Sequence, residues 1–161
     1  MRGGALPPAL LFAALGLALA FAQRRHLAPC MVLAAVLAIL VSFIPLGTQW
    51  RDPIFLGCWI SVIAAAASVH LPGGVGLKLA LFLAADAGLW GGGVIAVAGK
   101  PLDLAESIPL VLLCLPGAWL VAGKRGIALK VLASWLIAVA LLAATLQLTT
   151  PTPGYVPDHM D

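Results

Sequence analysis

The sequence predicts an all-α protein that crosses a membrane several times, as a polytopic bundle of about six helices arranged as three hairpins. Hydrophobic residues make up 63% of the 161 positions and charged residues only 9%, whereas soluble domains carry roughly a quarter charged residues. The apolar runs are long and continuous, unlike the alternating pattern of membrane β-barrel strands. Because hydrocarbon offers no hydrogen bonds to the backbone, such runs are expected to form helices. The lipid bilayer is therefore the first predicted partner.

Six segments approach the length of about 20 apolar residues that a spanning helix needs. The predicted spans are 5–22, 27–46, 54–71, 77–99, 108–123 and 127–148. They form one transmembrane domain, residues 1–148, followed by a proline-rich C-terminal tail, residues 149–161, that is expected to be extended. The fifth span is the shortest and contains Pro109, Pro116 and Gly117. We therefore expect it to kink or to cross only partly.

Tight turns and longer connections alternate along the chain, which is why three hairpins are predicted. The tight turns are 23–26, 72–76 and 124–126, and the face that they close receives six cations: Arg24, Arg25, Lys78, Lys124, Arg125 and Lys130. The opposite face receives Arg2, Arg51 and Lys100. Because cationic loops stay in the cytoplasm, the tight turns are predicted to be cytoplasmic. Both termini are then external, or periplasmic if the membrane is a bacterial inner membrane.

A cleaved signal peptide is the main alternative for residues 1–22. Arg2, an apolar stretch and the small-x-small motif Ala20-Phe21-Ala22 resemble a secretory signal. However, Arg24 and Arg25 follow the proposed cleavage site at once, where cations oppose translocation. Cleavage would also place the cation-rich face outside. We therefore expect the first segment to remain as a span.

The fourth span carries a strip of small residues at every fourth position. Its members are Ala80, Ala84, Gly88, Gly92 and Ala96. Small side chains let helix backbones approach closely, which drives helix association in lipid. The strip predicts a packing face, with the third span as the expected neighbour and the fourth span central in the bundle. A second interpretation is that Gly91, Gly92 and Gly93 break the helix and expose backbone groups to a substrate, as in transporters.

Asp86 is the only acidic residue inside a predicted span. An aspartate at a helix centre costs about 2.5–3.5 kcal/mol on insertion scales, so such residues usually have a partner or a task. Three interpretations follow. Asp86 could hydrogen-bond across helices to a hydroxyl group, pair with a charge on a partner subunit, or serve as a proton or cation site. The candidate hydroxyl groups are those of Ser61, Ser68, Ser134 and Thr145.

No pattern in the chain predicts catalysis, metal binding or nucleic-acid binding. The histidines His26, His70 and His159 match no metal-ligand spacing, and no nucleophile triad or phosphate-binding loop is present. No cofactor is predicted, and haem, quinone or pigment binding stays open as an alternative. Enzymatic activity is accordingly the less favoured class.

Two functional hypotheses result. The first is a non-catalytic membrane subunit with an accessory, assembly or scaffolding role in a larger inner-membrane complex, bound to other membrane subunits or to itself. The alternative is a small permease or channel subunit, in which Asp86 and Gly91 to Gly93 line the translocation path.

Overall fold

A computed structural model describes residues 5–149, and throughout this range the chain is helical apart from short turns and one isolated β-bridge. Its α-helices are α1 (Leu6–Leu19), α2 (Leu27–Ser42), α3 (Arg51–Ser68), α4 (Leu77–Ala98), α5 (Pro101–Ser107), α6 (Cys114–Ala122) and α7 (Gly126–Thr149). Short 3₁₀ segments occupy Arg24–His26, Thr48–Trp50 and Ile108–Leu113. The predicted all-α class is confirmed. The predicted tail lies outside the described residues from position 150 onward.

Four helical segments are long and apolar enough to cross a membrane: Arg24–Ser42, Leu77–Ala98, Pro101–Ala122 and Gly126–Thr149. The helix α1 is apolar but shorter, with 14 residues. The outer faces of the bundle expose large apolar side chains, for example Val131, Trp135 and Leu142 on α7. Exposed apolar surface of this extent suits lipid as the surrounding solvent, so a membrane protein with several apolar spanning helices is what the structure supports.

The fifth helical segment begins at Pro101 instead of residue 108, where the sequence analysis places the start of the span. Pro101 occupies the first helical position, and the carboxylate of Asp103 accepts a hydrogen bond from the Lys100 backbone N–H at 2.9 Å. Both features favour a helix start. Farther along, Pro109 removes a backbone donor, and Ile108–Leu113 tightens into a 3₁₀ helix. The expected irregularity is therefore present between α5 and α6.

The most buried helix is α1, which packs against α3, α4, α7 and the whole α5-to-α6 segment. Its buried residues lie on all sides, including Leu11, Phe12, Leu15 and Leu19. The helix α4, which was expected to be central, packs against α1, α2, α3 and α5, but α1 is the more completely buried of the two. A helix that is apolar all round can be buried over most of its surface, and α1 is buried in this way by α3, α4, α7 and the α5-to-α6 segment, although Leu6 in its first turn is exposed.

The three tight turns meet at one end of the bundle, around Phe21. The carbonyl of Phe21 accepts a hydrogen bond from the Val75 N–H at 3.3 Å, which ties the α1–α2 connection to the α3–α4 loop. The Phe21 ring also lies beside Gly126 at the start of α7. Gly73 and Gly74 have positive φ values of 99° and 80°, a conformation that glycine adopts without strain. We call this end, with its six basic residues from Arg24 to Lys130, the cationic end.

Candidate functional site around Asp86

The strip of small residues on α4 packs against α2, not against α3 as expected. A Cβ atom on Gly88 would lie 2.7 Å from the carbonyl oxygen of Ala34, and one on Gly92 would lie 2.5 Å from that of Ala38. Ala80 and Ala84 are fully buried, whereas Ala96 is partly exposed. The two helices thus approach backbone to backbone, which only small residues permit. The helix α3 does pack against α4, as predicted, through Gly57 and Trp90 and through Ile54 and Gly93, but Gly88 and Gly92 of the strip face α2 instead.

The glycine triplet does not interrupt α4, which is continuous from Leu77 to Ala98. Each glycine instead accommodates a different helix. Gly91 faces the Phe12 ring of α1, Gly92 faces α2, and Gly93 lies against Ile54 of α3. The interpretation as a broken helix is therefore not what the structure shows. Because these three glycines have no side chains, α1, α2 and α3 can all pack closely around one turn of α4.

Asp86 lies at the edge of the α3–α4 interface and is half-buried. Two contacts define the antiparallel register of this interface, since Ile54 faces Gly93 and the Trp90 ring covers Gly57. One helical turn farther along α3, this register places Ser61 opposite Asp86. The carboxylate is also close enough to the buried Cys58 thiol to interact with it electrostatically.

The hydroxyl groups proposed as partners of Asp86 are mostly engaged elsewhere. The hydroxyls of Ser68, Ser134 and Thr145 donate to backbone carbonyls of their own helices, those of Ala65, Lys130 and Leu142, at 2.6, 3.0 and 2.9 Å. Among these candidates, only Ser61 lies opposite Asp86 by register. Within residues 5–149, the Asp86 carboxylate has no hydrogen bond or ion pair.

The exposed side of Asp86 faces the outside of the bundle. Its neighbours on α4, Phe82 and Leu89, are 65% and 54% exposed, and Ile60 on the facing helix α3 is 56% exposed. Asp86 does not line any of the main clefts on the surface of the described bundle. An acidic group here can form a hydrogen bond or an ion pair with something that lies against this outer edge.

No protein-family model, curated protein or solved structure matches this chain. Function must therefore be inferred from the chain's own residues.

The histidines and cysteines within the described range do not assemble into a site. No group of three His, Cys, Asp or Glu side chains in residues 5–149 could hold a metal ion. His26 accepts a hydrogen bond from Arg25, and His70 lies 3.4 Å from the Ser134 hydroxyl; His159 is outside the described residues. Cys30, Cys58 and Cys114 are buried and free.

The sequence analysis predicted no cleft between helices, and two of those in the structure contain residues near the membrane interfaces. One, of about 580 Å³, lies between α2, α4 and α5 at the end opposite the cationic end. The other, of about 420 Å³, lies between α2 and α6 at the cationic end. A cleft between helices depends on the distance between neighbouring helices, and the sequence periodicity of one helix does not predict that distance. The only signal was the proline content of the fifth segment, which prevents uniform packing along its length.

Proposed function

We propose that this protein is a non-catalytic membrane subunit that associates with another integral membrane protein through the α4 edge around Asp86. Its role is accessory, assembly or scaffolding within a larger complex. The observation that carries the proposal is a half-buried carboxylate that has no hydrogen bond or ion pair within residues 5–149, at an edge that faces away from the bundle. Acidic groups inside membrane helices usually face a partner or a polar cavity, and Asp86 lines none of the clefts described above.

The chemistry of this edge indicates the kind of partner. Because an aspartate at mid-helix depth costs about 2.5–3.5 kcal/mol, a Lys, Arg or hydrogen-bond donor from a neighbouring helix would relieve much of that cost. The described cations of this chain lie near helix ends and in loops, so a second copy offers no cation at the depth of Asp86. We therefore favour a different membrane protein as the partner.

The proposed topology has six crossings, with α1 and α3 spanning the membrane alongside the four longer segments. A helix of 14 residues is about 21 Å long, and α1 is shielded from lipid by its neighbours, so it need not match the full hydrocarbon thickness. The cationic end is assigned to the cytoplasm by the excess of basic residues. The proposed location is a plasma membrane, which in a bacterium is the inner membrane.

Site-specific photo-crosslinking in intact cells tests this association. A photoreactive residue at Leu89 should give one discrete heteromeric product, and the same probe at Leu142 on the exposed face of α7 should not. Asp86→Asn should reduce the Leu89 product several-fold without changing the amount of protein in the membrane, whereas Asp86→Glu should retain it. A product of equal yield with Asp86→Asn, or crosslinks to lipid alone, would overturn the proposal.

The alternative, a small permease or channel subunit, draws support only from Asp86 as a candidate proton or cation site. The packing of α1, α2 and α3 against Gly91 to Gly93 fills the space that a path along the triplet would need. Flux measured in proteoliposomes distinguishes the two functions. Transport that is lost with Asp86→Asn would establish the alternative, and the absence of any flux would remove it.

A further inference from the structure

The cleft between α2 and α6 combines an apolar wall with one basic residue at its mouth. It has a volume of about 420 Å³ and opens towards the outside of the bundle. Its lining residues are Arg24, Leu27, Ala28, Met31, Leu115 and Ala118. The Met31 and Cys114 sulfur atoms are 3.7 Å apart and join the two helices beside the cleft. The cleft therefore starts at the cationic end and is bounded by α2 and α6 on its apolar sides.

Arg24 is available to a ligand, unlike its neighbour. The Arg25 Nε donates a hydrogen bond to the His26 ring at 3.2 Å, whereas within residues 5–149 the Arg24 guanidinium has no hydrogen bond or ion pair. The acidic residues in the described range other than Asp86 are Asp52, Asp103 and Glu106. All three lie on helices or loops at the opposite end of the bundle, so no described carboxylate neutralises Arg24.

We propose that this cleft is a binding site for an anionic phospholipid of the surrounding bilayer. Arg24 binds the phosphate, because a guanidinium matches phosphate oxygens in geometry and charge. Leu27, Met31 and Leu115 contact the glycerol region and the upper part of an acyl chain. Basic pockets between transmembrane helices bind anionic headgroups in this way. The apolar wall selects a lipid over free phosphate, which would use only the arginine.

The larger cleft at the opposite end is less suited to such a ligand. Lys100 lies between two of its lining residues, Gly99 and Pro101, but Asp103 and Glu106 follow on α5. These carboxylates oppose an anionic headgroup there. The volume of the larger cleft would favour lipid binding there, but the charges around the two clefts favour binding of an anionic lipid in the smaller one.

The test is lipid binding by the purified full chain in mild detergent, followed by native mass spectrometry and by thermal stability. Phosphatidylglycerol should bind and raise the Tm more than phosphatidylcholine with the same acyl chains. Arg24→Gln should weaken phosphatidylglycerol binding about fivefold. Ala118→Leu, which fills the cleft and leaves the charge unchanged, should weaken it as well. Lys78→Gln, with the same loss of charge at the same end but outside the cleft, should bind as the unmodified protein does.

Three results would overturn the proposal. Equal weakening by Arg24→Gln and Lys78→Gln would mean that the whole basic end attracts anions without a defined site. Unchanged binding in Ala118→Leu would remove the acyl chain from the cleft. An equal rise in Tm with inorganic phosphate at the same concentration would show that no lipid is required. Because Ala118→Leu could unfold, its circular dichroism and elution volume are compared first, and Ala28→Leu provides a second cleft-filling variant.

Discussion

At the scale of single residues, the helical glycines allow close approach between helices in this molecule. Gly88 and Gly92 bring α4 against the α2 backbone, and Gly57 makes room for the Trp90 ring. The regular spacing of small residues on α4 predicted such a face. The spacing did not indicate which helix packs against this face, because any neighbour with small residues at matching positions would fit the same strip.

Gly92→Ala should destabilise the protein although alanine favours helix formation by about 1 kcal/mol. The added methyl group would meet the Ala38 carbonyl oxygen at 2.5 Å, and displacing a backbone costs more than turning a side chain. Overpacking costs about 1–3 kcal/mol, so we expect a net loss of stability. Thermal unfolding in detergent measures it.

The control is Gly126→Ala at the first position of α7, whose new methyl group would lie 3.6 Å from the Phe21 ring, an ordinary contact. It should keep or raise the Tm. If Gly92→Ala is as stable as Gly126→Ala, the close approach of α2 and α4 is not as described.

At the scale of elements, the fifth segment shows both the success and the limit of prediction. Its prolines correctly indicated irregularity, which appears as the 3₁₀ helix Ile108–Leu113. Its start was misplaced because Asp103 and Glu106 were taken as loop residues, whereas Asp103 caps the helix through the Lys100 N–H. Proline at the first position with an acid two residues later was the overlooked signal.

Gly16→Ala should separate α1 from this 3₁₀ segment. A Cβ at position 16 would lie 2.9 Å from the Val111 carbonyl oxygen and 3.0 Å from that of Leu110. Since α1 is also packed against α3, α4 and α7, we expect the 3₁₀ segment to shift. We expect faster amide hydrogen exchange in Ile108–Leu113, with little change in the distant amides of α3.

Hydrogen exchange followed by mass spectrometry checks this expectation, with Gly126→Ala as the control. Uniformly faster exchange throughout the chain would indicate global destabilisation instead of a local contact. Unchanged exchange in Ile108–Leu113 would contradict the contact altogether.

At the scale of the whole molecule, the contacts of Phe21 gather the three tight turns at one end. This gathering concentrates six basic residues there and leaves Asp52, Asp103 and Glu106 at the other end. The charge asymmetry follows from the order of residues along the chain, once the helices run up and down. It predicts a single orientation in the membrane.

Cysteine labelling with a membrane-impermeant reagent checks this orientation. In a background where the three buried cysteines are replaced by alanine, Arg25→Cys and Arg125→Cys should be protected in intact cells and react after permeabilisation. Glu106→Cys, which is exposed at the opposite end, should react in intact cells. The Tm of the cysteine-free background checks that it is folded.

Labelling of Arg25→Cys and Glu106→Cys from the same side would contradict the proposed six crossings. Labelling of all three positions in the reversed pattern would keep the fold and invert the orientation.

The composition and the apolar runs by themselves determined that this chain is helical, with several helices of membrane-spanning length, because a backbone in hydrocarbon can satisfy its polar groups in this way. They also singled out Asp86 and the small residues of α4. Only the tertiary structure decided that α1 is the buried centre, that α4 packs on α2, and that Asp86 lies at an outer edge. These features depend on which of several chemically similar apolar faces fit together. The periodicity of one helix cannot predict its shape complementarity with another helix.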